Sequence, residues 1–306
     1  MAALLARRVF QALAVLLGVA FITFLLLHYL PADPAALVAG RSANAQMIAN
    51  VRHQLGLDLP LPLQFWRYLS GLLRGDLGRS YIQRSPVATL VAARIPATLI
   101  LMACGILVEV VLGLTLGVIA ALRRNGFVDR MVMTFAFVGV SSPQFVVALL
   151  LLYVFAAHLG WFPMSGFGSP AHVVLPALTL GLLGAGWYAR MVRSAMIDVL
   201  NQDYVRTARA KGLSRARVVL RHALPNALLP IVAMIGIDIG QFMGGVVVVE
   251  AVYGWPGIGQ LAWQAIQEVD VPIIMGVTLV SSLAIVLGNL LADVVAPLLD
   301  PRIRVR

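Results

Sequence analysis

Two carboxylates lie inside long apolar stretches of the sequence, where an ionisable side chain is costly and is by default a functional candidate. Glu109 is near the middle of one stretch, and Asp238 lies in another, three residues before Gln241. Residues three apart on a helix are neighbours on its surface. We therefore take Glu109, Asp238 and Gln241 as candidate pathway-lining residues. The alternatives for each carboxylate are a buried structural pair or a protonated, ion-coupling site.

The sequence lacks the patterns of familiar catalytic and cofactor sites. Its only lysine, Lys211, is not part of a phosphate-binding Gly-x4-Gly-Lys-Ser/Thr loop. No His-Glu-x-x-His or Gly-x-Ser-x-Gly pattern occurs, and the single Cys104 excludes an internal disulfide and a cysteine-based metal cluster. Residues 257–262 match Gly-x-Gly-x-x-Ala but follow Pro256 rather than a strand. We predict a chain without catalytic residues, bound cofactor or metal.

Composition indicates a membrane protein. Hydrophobic residues make up 60% and charged residues 12% of the 306 positions, against roughly 45–50% and 25% in soluble globular proteins. A soluble domain of this size could not bury so much apolar surface. An ordinary soluble enzyme, a disordered chain and a nucleic-acid-binding protein are excluded. The net charge of +10 does not change this, because the basic residues fall between apolar runs.

Six apolar runs are long enough to cross a hydrocarbon core of about 30 Å, which needs about 20 residues per helix. The six runs are 9–30, 97–122, 131–157, 173–196, 227–249 and 271–298. The first run exceeds the apolar part of a signal peptide, so we expect it to be retained as a helix. The predicted fold class is an all-α membrane protein with six transmembrane helices.

Basic residues set the predicted orientation. They are concentrated at the N-terminus and in segments 123–130, 190–223 and 302–306, whereas segments 158–172 and 250–270 contain no arginine or lysine. Cytoplasmic loops carry the excess of basic residues, so we predict that both termini are cytoplasmic.

This orientation divides the chain into four predicted parts. The N-terminal cytoplasmic end and first helix occupy 1–30, and an extracytoplasmic loop region with partly helical character occupies 31–94. A core of five helices follows over 95–298, and it includes a cytoplasmic loop at 197–225. A cytoplasmic tail ends the chain at 299–306.

Glycine spacing predicts two close helix contacts. Gly236, Gly240 and Gly244 recur every fourth residue and form a surface that another helix can approach closely. Gly113 and Gly117 form a similar step. Asp238 points about 200° away from Gly236 at 100° per residue. The fifth run therefore has a predicted packing edge and a separate polar edge.

The strongest local pattern is DYVRTARAKGLSRARVVLRHALPNALLP, over residues 203–230. Asp203 can cap a helix start, and Gly212 suits the left-handed position that closes a helix. Ser214 can cap a second helix that runs to Pro225. The pattern predicts a short helix, a tight turn and another helix. Four of its residues are expected to be available for contact with another protein: Tyr204, Val205, Ala208 and Leu213.

This stretch resembles the EAA loop of ABC importer permeases, Glu-Ala-Ala-x3-Gly-x9-Ile-x-Leu-Pro. Four residues fall on that pattern: Ala208, Gly212, Leu224 and Pro225. Three positions depart from it, with Arg206, Thr207 and His222 in place of its Glu, first Ala and Ile. The variant YVRTARAKG is similar to the dipeptide/oligopeptide/nickel permease group.

The resemblance extends over nearly the whole chain. The matching motifs are LPADP at 30–34, LGLDLPLP at 55–62, GLLRGDLGRSY at 71–81, RIPATL at 94–99, LGWFPMSG at 159–166, VVVEAVYGWPGIGQL at 247–261 and DPRIR at 300–304. Ala32 replaces the Gly of the usual Pro-Gly-Asp-Pro. The long first outer loop and the Asp-Pro-Arg-Ile-Arg ending resemble the B-type subunit rather than its C-type partner.

The resemblance implies a type I ABC importer permease that forms half of a heterodimeric pathway for dipeptides or short oligopeptides. It implies a bacterial inner membrane location. The implied partners are a second, C-type permease, two ATPases that bind ATP and Mg, and an extracytoplasmic substrate-binding protein. The implied ATPase-coupling residues are Asp203, Tyr204, Val205, Arg206, Thr207, Ala208, Arg209, Ala210, Lys211, Gly212 and Leu213.

Other functions remain open at this point. Nickel chelates, glutathione, haem or sugars are alternative substrates, because the scaffold is shared. An ion-coupled secondary transporter with Glu109 or Asp238 as its proton site is the main alternative from another class. Such a transporter would show an inverted repeat with paired broken helices, and the sequence has no convincing internal symmetry. An intramembrane hydrolase and a structural scaffold are further alternatives.

Overall fold

The computed structural model describes residues 2–29, 33–40, 43–244 and 246–299, with side chains described from residue 7 to 26 of the first helix and up to residue 290 of the last. The described residues are mainly helical and form no β-strand beyond an isolated bridge between Arg79 and Pro86. The predicted DPRIR ending lies outside the described residues, as does the predicted tail from residue 300 onward.

The helices follow one another as α1 Ala2–Tyr29, α2 Pro34–Ala39, α3 Ala45–Leu55, α4 Leu61–Leu73, α5 Val87–Leu122, α6 Phe127–Ser141, α7 Gln144–Leu151, α8 Pro170–Leu200, α9 Asp203–Ala210, α10 Arg215–Arg217, α11 Leu224–Ala227, α12 Leu229–Met243, α13 Val247–Val252, α14 Ile258–Glu268 and α15 Val271–Leu299. Two π-helical segments continue α7 and join α10 to α11, at Leu152–His158 and Val218–Ala223.

Four of the helices are long and apolar enough to cross a membrane singly, over Arg7–Leu26, Val87–Leu122, Pro170–Leu200 and Val271–Leu290. Two bent pairs of helices pass the same test together, so the described residues hold up to six crossings. This agrees with an all-α membrane protein. The remaining two predicted runs, 131–157 and 227–249, are the ones that the structure interrupts.

The run 131–157 is two helices rather than the one that the sequence predicted. The helical segments on either side of Ser142 and Pro143 are bent by 105°. Ser142 has extended backbone angles, with φ −79° and ψ 133°. A residue before proline is pushed out of the helical region by the proline ring, so the break follows from Pro143. Membrane proteins tolerate such a break where protein covers the freed backbone.

The run 227–249 is also shorter than predicted. The segments Arg215–Ala227 and Leu229–Met243 are bent by 49°. The membrane helix α12 then ends at Met243, and a separate short helix, α13, begins at Val247. Glu250 therefore belongs to this second helix, which packs against α14 and α7.

The core of the molecule is the long contact between α5 and α8. A Cβ on Gly113 would overlap the side chain of Tyr188, and one on Gly117 would lie 2.7 Å from the Ala189 carbonyl oxygen. Only a residue without a side chain allows the two backbones to approach this closely. The predicted Gly113/Gly117 packing step is confirmed.

The second predicted glycine edge packs α12 on α15. A Cβ on Gly240 would lie 3.4 Å from the Ile285 Cα atom, and one on Gly244 would lie 3.8 Å from the Ile285 side chain. Gly288 faces Gly240 across the same contact, so both helices contribute a small residue. The edge is confirmed at Gly240 and Gly244, and it leaves the opposite side of α12 for polar residues.

Three short helices, α2 to α4, occupy much of the predicted extracytoplasmic loop region. Asn44 caps α3 through a bond from the Met47 backbone N–H to its side-chain oxygen at 2.8 Å. Helix α4 packs on α1 through aromatic rings, including Phe24 against Phe65 with centroids 5.2 Å apart. Helix α4 of this region is thereby attached to the first membrane helix.

Candidate functional site

The first candidate site is the loop that contains α9, which we call the loop helix. Gln202 occupies the N-cap position with extended backbone angles, and Asp203 is the first helical residue. The prediction that Asp203 caps this helix is wrong. Its side chain instead lies 3.4 Å from the Arg206 guanidinium. A carboxylate in the first turn still interacts favourably with the helix dipole.

The turn behind the loop helix forms as predicted. Gly212 has a φ of +76°, a left-handed conformation that strains any residue with a side chain. Its N–H donates to the Arg209 carbonyl at 2.9 Å. Ser214 then caps the next helix by accepting from the Arg217 N–H at 3.4 Å. Through the π-helical segment and α11, this second helix continues to Ala227.

The loop helix is anchored by an apolar stripe. Val205 is fully buried and Ala208 is 6% exposed, and both pack with Val218. The prediction that Val205 and Ala208 are available to another protein is wrong. Their spacing of three residues gives one face, and that face packs on the chain's own π-helical segment. Leu213 is half-buried beside them, so of the four predicted contact residues Tyr204 is the exposed one.

The opposite side of the loop helix is exposed, and three of its four charged residues are basic. The exposed residues of the predicted coupling stretch are Asp203, Tyr204, Arg206, Thr207, Arg209, Ala210, Lys211 and Gly212. The Tyr204 hydroxyl accepts a hydrogen bond from the Asn226 side-chain amide at 3.0 Å, which ties α9 to α11. The loop therefore presents a fixed polar surface rather than a flexible basic tail.

Helix α8 joins this loop to the membrane region. It is continuous from Pro170 to Leu200. Its last two residues pack against the apolar stripe of the loop helix, Val205 and Ala208. Near that end, the Arg193 guanidinium donates two bonds to Asp129 of α6, at 2.6 and 2.7 Å. Such a paired geometry is among the stronger charge-assisted contacts in proteins. The C-terminal end of α8 is thus fixed to its neighbour.

The second candidate site is the carboxylate cluster, formed by Glu109, Tyr188 and Asp238. Glu109 is 3% exposed and lies against Gly184 of α8, where a Cβ would overlap its carboxylate. Its Oε2 atom has no hydrogen-bond partner within the described part of the chain. Glycine at position 184 therefore makes the space that the buried carboxylate occupies.

Tyr188 is bonded to the second carboxylate of the cluster. It lies one helical turn after Gly184 on α8, and its hydroxyl donates a hydrogen bond to Asp238 Oδ2. The Glu109 carboxylate lies one helical turn away, against Gly184 of the same helix. Three helices, α5, α8 and α12, therefore bring their polar groups to one place.

The predicted pathway residues are only partly brought together. Asp238 is bonded to Tyr188, and Glu109 lies against Gly184 one turn earlier on α8. Gln241 is exposed on α12 and belongs to no hydrogen bond with the cluster among the described residues. Sequence reasoning missed Tyr188, because a tyrosine in an apolar run gives no sign of its partner. The one indirect signal is Gly184, four residues earlier, which keeps the same face of α8 open.

Another buried carboxylate, Glu250, was also missed. It is fully buried and accepts bonds from Thr98 Oγ1 at 3.1 Å and from the Gln260 N–H at 2.8 Å. Cβ atoms on Gly257 or Gly259 would crowd its carboxylate. The Gly-x-Gly-x-x-Ala stretch therefore encloses an acidic side chain of the same chain, which holds α13 to α14.

The segment around Ser80 and Tyr81 is tied to the start of α15 through Asp270. Its carboxylate accepts bonds from the Ser80 hydroxyl and from the Tyr81 N–H, the latter at 3.2 Å. Burial, and to a smaller extent the charge of Asp270, raise the pKa of Tyr81 to about 12. An open cleft of about 810 Å³ lies beside this contact, and its lining includes three arginines: Arg67, Arg79 and Arg84.

Comparison with known families agrees with this architecture. Residues 113–305 match the family described as binding-protein-dependent transport system inner membrane component. Residues 1–102 match the N-terminal part described for the membrane components of these transport systems.

Similar curated proteins carry the name glutathione transport system permease protein GsiC. The one from Salmonella typhimurium strain LT2 is 45% identical over 298 residues, 97% of each chain. The one from Escherichia coli strain K12 is also 45% identical with the same coverage, and that from Pectobacterium atrosepticum is 44% identical.

Solved structures support the fold. Two inward-facing structures of the MetNI methionine ABC transporter each cover 69% of this chain and 96% of their own chain. Their TM-scores are 0.56 and 0.59, at 23% and 20% identity. At this identity the likeness concerns the fold alone, and it confirms the predicted type I ABC importer permease architecture.

Proposed function

The chain belongs to the family of binding-protein-dependent transport system inner membrane components, and on this premise we propose that it forms half of a translocation pathway for short peptides. Its relatives are permease subunits of ABC importers. The prediction of a transport subunit rather than an enzyme is therefore confirmed, as is its place in a bacterial inner membrane. The family resemblance favours a second, C-type permease as the other half of the pathway.

The observation that carries the proposal is the geometry of the loop helix. It is short, closed by Gly212 at a φ of +76°, and attached to its own chain by Val205 and Ala208. Its exposed face then remains for a partner. A helix held in this way transmits displacement, whereas a flexible loop would absorb it. We assign ATPase coupling to residues 203–213, with Val205 and Ala208 as the anchors of the helix and the exposed residues as its contact surface.

The energy for transport has to come from other chains. The single lysine of this sequence, Lys211, lies on the loop and not in a phosphate-binding loop. ATP and Mg therefore belong to the proposed ATPase partners, which would contact the loop helix. An extracytoplasmic binding protein would deliver the substrate to the opposite side. This arrangement requires the loop helix and both chain termini to be cytoplasmic, as the distribution of arginines favours.

The proposed mechanism is alternating access. Closure of the ATPases on ATP would displace the loop helix, and α8 would carry that displacement into the membrane region. The continuous helix from Pro170 to Leu200 and its paired contact between Arg193 and Asp129 support a rigid connection. The family relationship argues against an ion-coupled secondary transporter, and so against a proton-coupling role for Glu109 and Asp238.

Glutathione is the first substrate to test. The curated relatives are named as glutathione transport system components, and glutathione is a tripeptide with a free ammonium group. Dipeptides and other short oligopeptides share its backbone and termini and form the second group to test. These relatives differ from this chain at about half of the aligned positions. They therefore support short peptides as the substrate class and do not identify one compound.

The testing experiment uses the chain co-expressed with the permease, ATPase and binding-protein genes of its own genome. A mild detergent extraction of the tagged chain should recover a second permease and ATPase subunits. In proteoliposomes the complex should hydrolyse ATP faster with a loaded binding protein and import labelled glutathione or dipeptide. Recovery of the chain alone, without associated ATPase activity, would contradict the proposal.

A further inference from the structure

The carboxylate cluster carries an inference about substrate recognition. Glu109 from α5, Tyr188 from α8 and Asp238 from α12 meet between membrane helices. Glu109 and Tyr188 are 3% and 1% exposed, whereas Asp238 is half-buried. The cluster therefore has a closed side at Glu109 and an open side at Asp238.

The acceptor oxygens of the cluster are not all paired within the described part of the chain. No ion pair found there includes Glu109 or Asp238, and Glu109 Oε2 is buried without a hydrogen-bond partner. Tyr188 supplies one donor, to Asp238 Oδ2. A buried polar group without a hydrogen-bond partner is costly, so a group from outside the chain that donates hydrogen bonds would gain from binding here.

Asp238 is accessible from one side of α12. Its neighbour Ile237 is 58% exposed, and Gln241 on the next turn is exposed as well. The glycine edge of α12 packs on α15 on another side. A carboxylate next to an exposed face is costly in lipid and is expected to face water or a protein partner. This exposed face therefore suits the lining of a passage.

The composition of the cluster favours an ammonium group over a metal ion. Among the described residues there is no group of three or more histidine, cysteine, aspartate or glutamate side chains that could hold a metal. A primary ammonium needs acceptors for three N–H donors. The half-buried Asp238 carboxylate offers an acceptor, because only one of its two oxygens is bonded to Tyr188.

We propose that Asp238, oriented by Tyr188 and next to the buried Glu109 side chain, binds the primary ammonium group of the substrate during its passage. This inference rests on the proposed import of short peptides, which carry that group at their N-terminus. Asp238 is the contacting residue. Tyr188 is a positioning residue, because its hydroxyl holds one oxygen of the carboxylate and leaves the other free.

The test measures equilibrium binding to the complete permease–ATPase complex in nanodiscs, with no binding protein present. The two probes are labelled glutathione and labelled N-acetylglutathione, which lacks the ammonium group. A charge-assisted hydrogen bond in a poorly hydrated site predicts that the wild-type complex binds glutathione about tenfold more tightly. Asp238→Asn should bind both probes equally. Its amide oxygen still accepts from Tyr188, so the complex should assemble.

Further variants separate recognition from structure. Glu268→Gln changes an exposed carboxylate at the end of α14 and should keep the wild-type preference. Tyr188→Phe should weaken the preference without removing it, because both carboxylates remain. Recovery of the partner subunits with each variant checks assembly.

Equal binding of the two probes by the wild-type complex, or binding of neither, would overturn the inference, as would a preference that survives in Asp238→Asn. Uptake of glutathione and of a dipeptide through the wild-type complex is measured in parallel with its binding protein. Uptake without the binding preference defeats only the ammonium site. Absence of uptake of either substrate defeats the proposed function.

Discussion

The loop helix and the carboxylate cluster are built in opposite ways. Residues 203–213 are consecutive, and their exposed face is charged. The cluster takes Glu109, Tyr188 and Asp238 from three distant helices and buries two of them almost completely. Local backbone geometry shapes the loop helix, whereas the close approach of whole helices shapes the cluster. The loop should therefore tolerate surface changes, and the cluster should fail when helix spacing changes.

The largest expected effect is on helix spacing. Gly113→Ala places a methyl group against the Cβ of Tyr188 and near the Ala189 backbone, neither of which can move without shifting α8. We expect a loss of about 1–3 kcal/mol of stability, which is the usual cost of overpacking. Thermal unfolding of the solubilised complex would measure it.

Gly18→Ala is the matched control, because no atom lies within 4 Å of the position that a methyl group would occupy on this helical glycine of α1. Equal unfolding temperatures for the two variants would contradict the role of close helix approach at the cluster.

The next effect concerns the turn that closes the loop helix. Gly212→Val forces a branched residue to a φ of +76°, at a cost of about 1–2 kcal/mol. The turn should relax and move the end of the loop helix. We expect normal insertion but a loss of most ATP-driven uptake, with residual ATP hydrolysis that no longer responds to the binding protein.

Gly160→Val provides the comparison for this variant. Gly160 also has a positive φ, +64°, with open space around it, but it lies far along the chain from the loop. Unchanged uptake by Gly212→Val at normal expression, or the same loss in Gly160→Val, would remove the coupling role of this turn.

A smaller effect distinguishes the two faces of the loop helix. Val205→Ala removes two methyl groups from a fully buried position and should destabilise the loop by about 1.5 kcal/mol. Arg206→Ala lies on the exposed face and should leave stability unchanged while weakening the contact with the ATPase. Limited proteolysis reports the first change and co-purification of the ATPase the second. The reverse pattern would show that the faces are misassigned.

The smallest effect is expected at Tyr204. Tyr204→Phe removes the acceptor of the 3.0 Å bond from Asn226 and should cost about 0.5–1.5 kcal/mol, as for an ordinary hydrogen bond. Hydrogen exchange of the α9 amides should rise by a few fold. An unchanged exchange rate would indicate that the apolar anchor alone fixes the loop helix.

The same contrast explains what could be predicted from the sequence. The turn at Gly212 and the cap at Ser214 depend on residues nearby in the sequence, so the residue types were enough to predict both. The cap at Asp203 and the exposure of Val205 were predicted wrongly, because both depend on where the chain packs. The apolar runs indicated the number of crossings. The break at Pro143 could not be predicted from them, because it depends on the protein that surrounds it in the fold.

The contacts within the carboxylate cluster were harder to predict from the sequence than the loop helix. Glu109 and Asp238 were recognisable as costly residues, but their neighbours Gly184 and Tyr188 depend on the register of α8 against α5 and α12. The hydrogen-bond partners of the Glu250 carboxylate, Thr98 and the Gln260 backbone N–H, likewise could not be identified from the sequence. Side-chain type alone carries no information on such distant neighbours.

The continuity of α8 has a thermodynamic consequence. Tyr188 and the end of this helix at Leu200 are separated by about 18 Å of unbroken helix at 1.5 Å per residue. If a cation at Asp238 favours one position of α8, the loop shares that preference. Linkage then requires reciprocity: the factor by which substrate changes ATPase engagement equals the factor by which engagement changes substrate affinity. A single measured coupling constant would describe both directions.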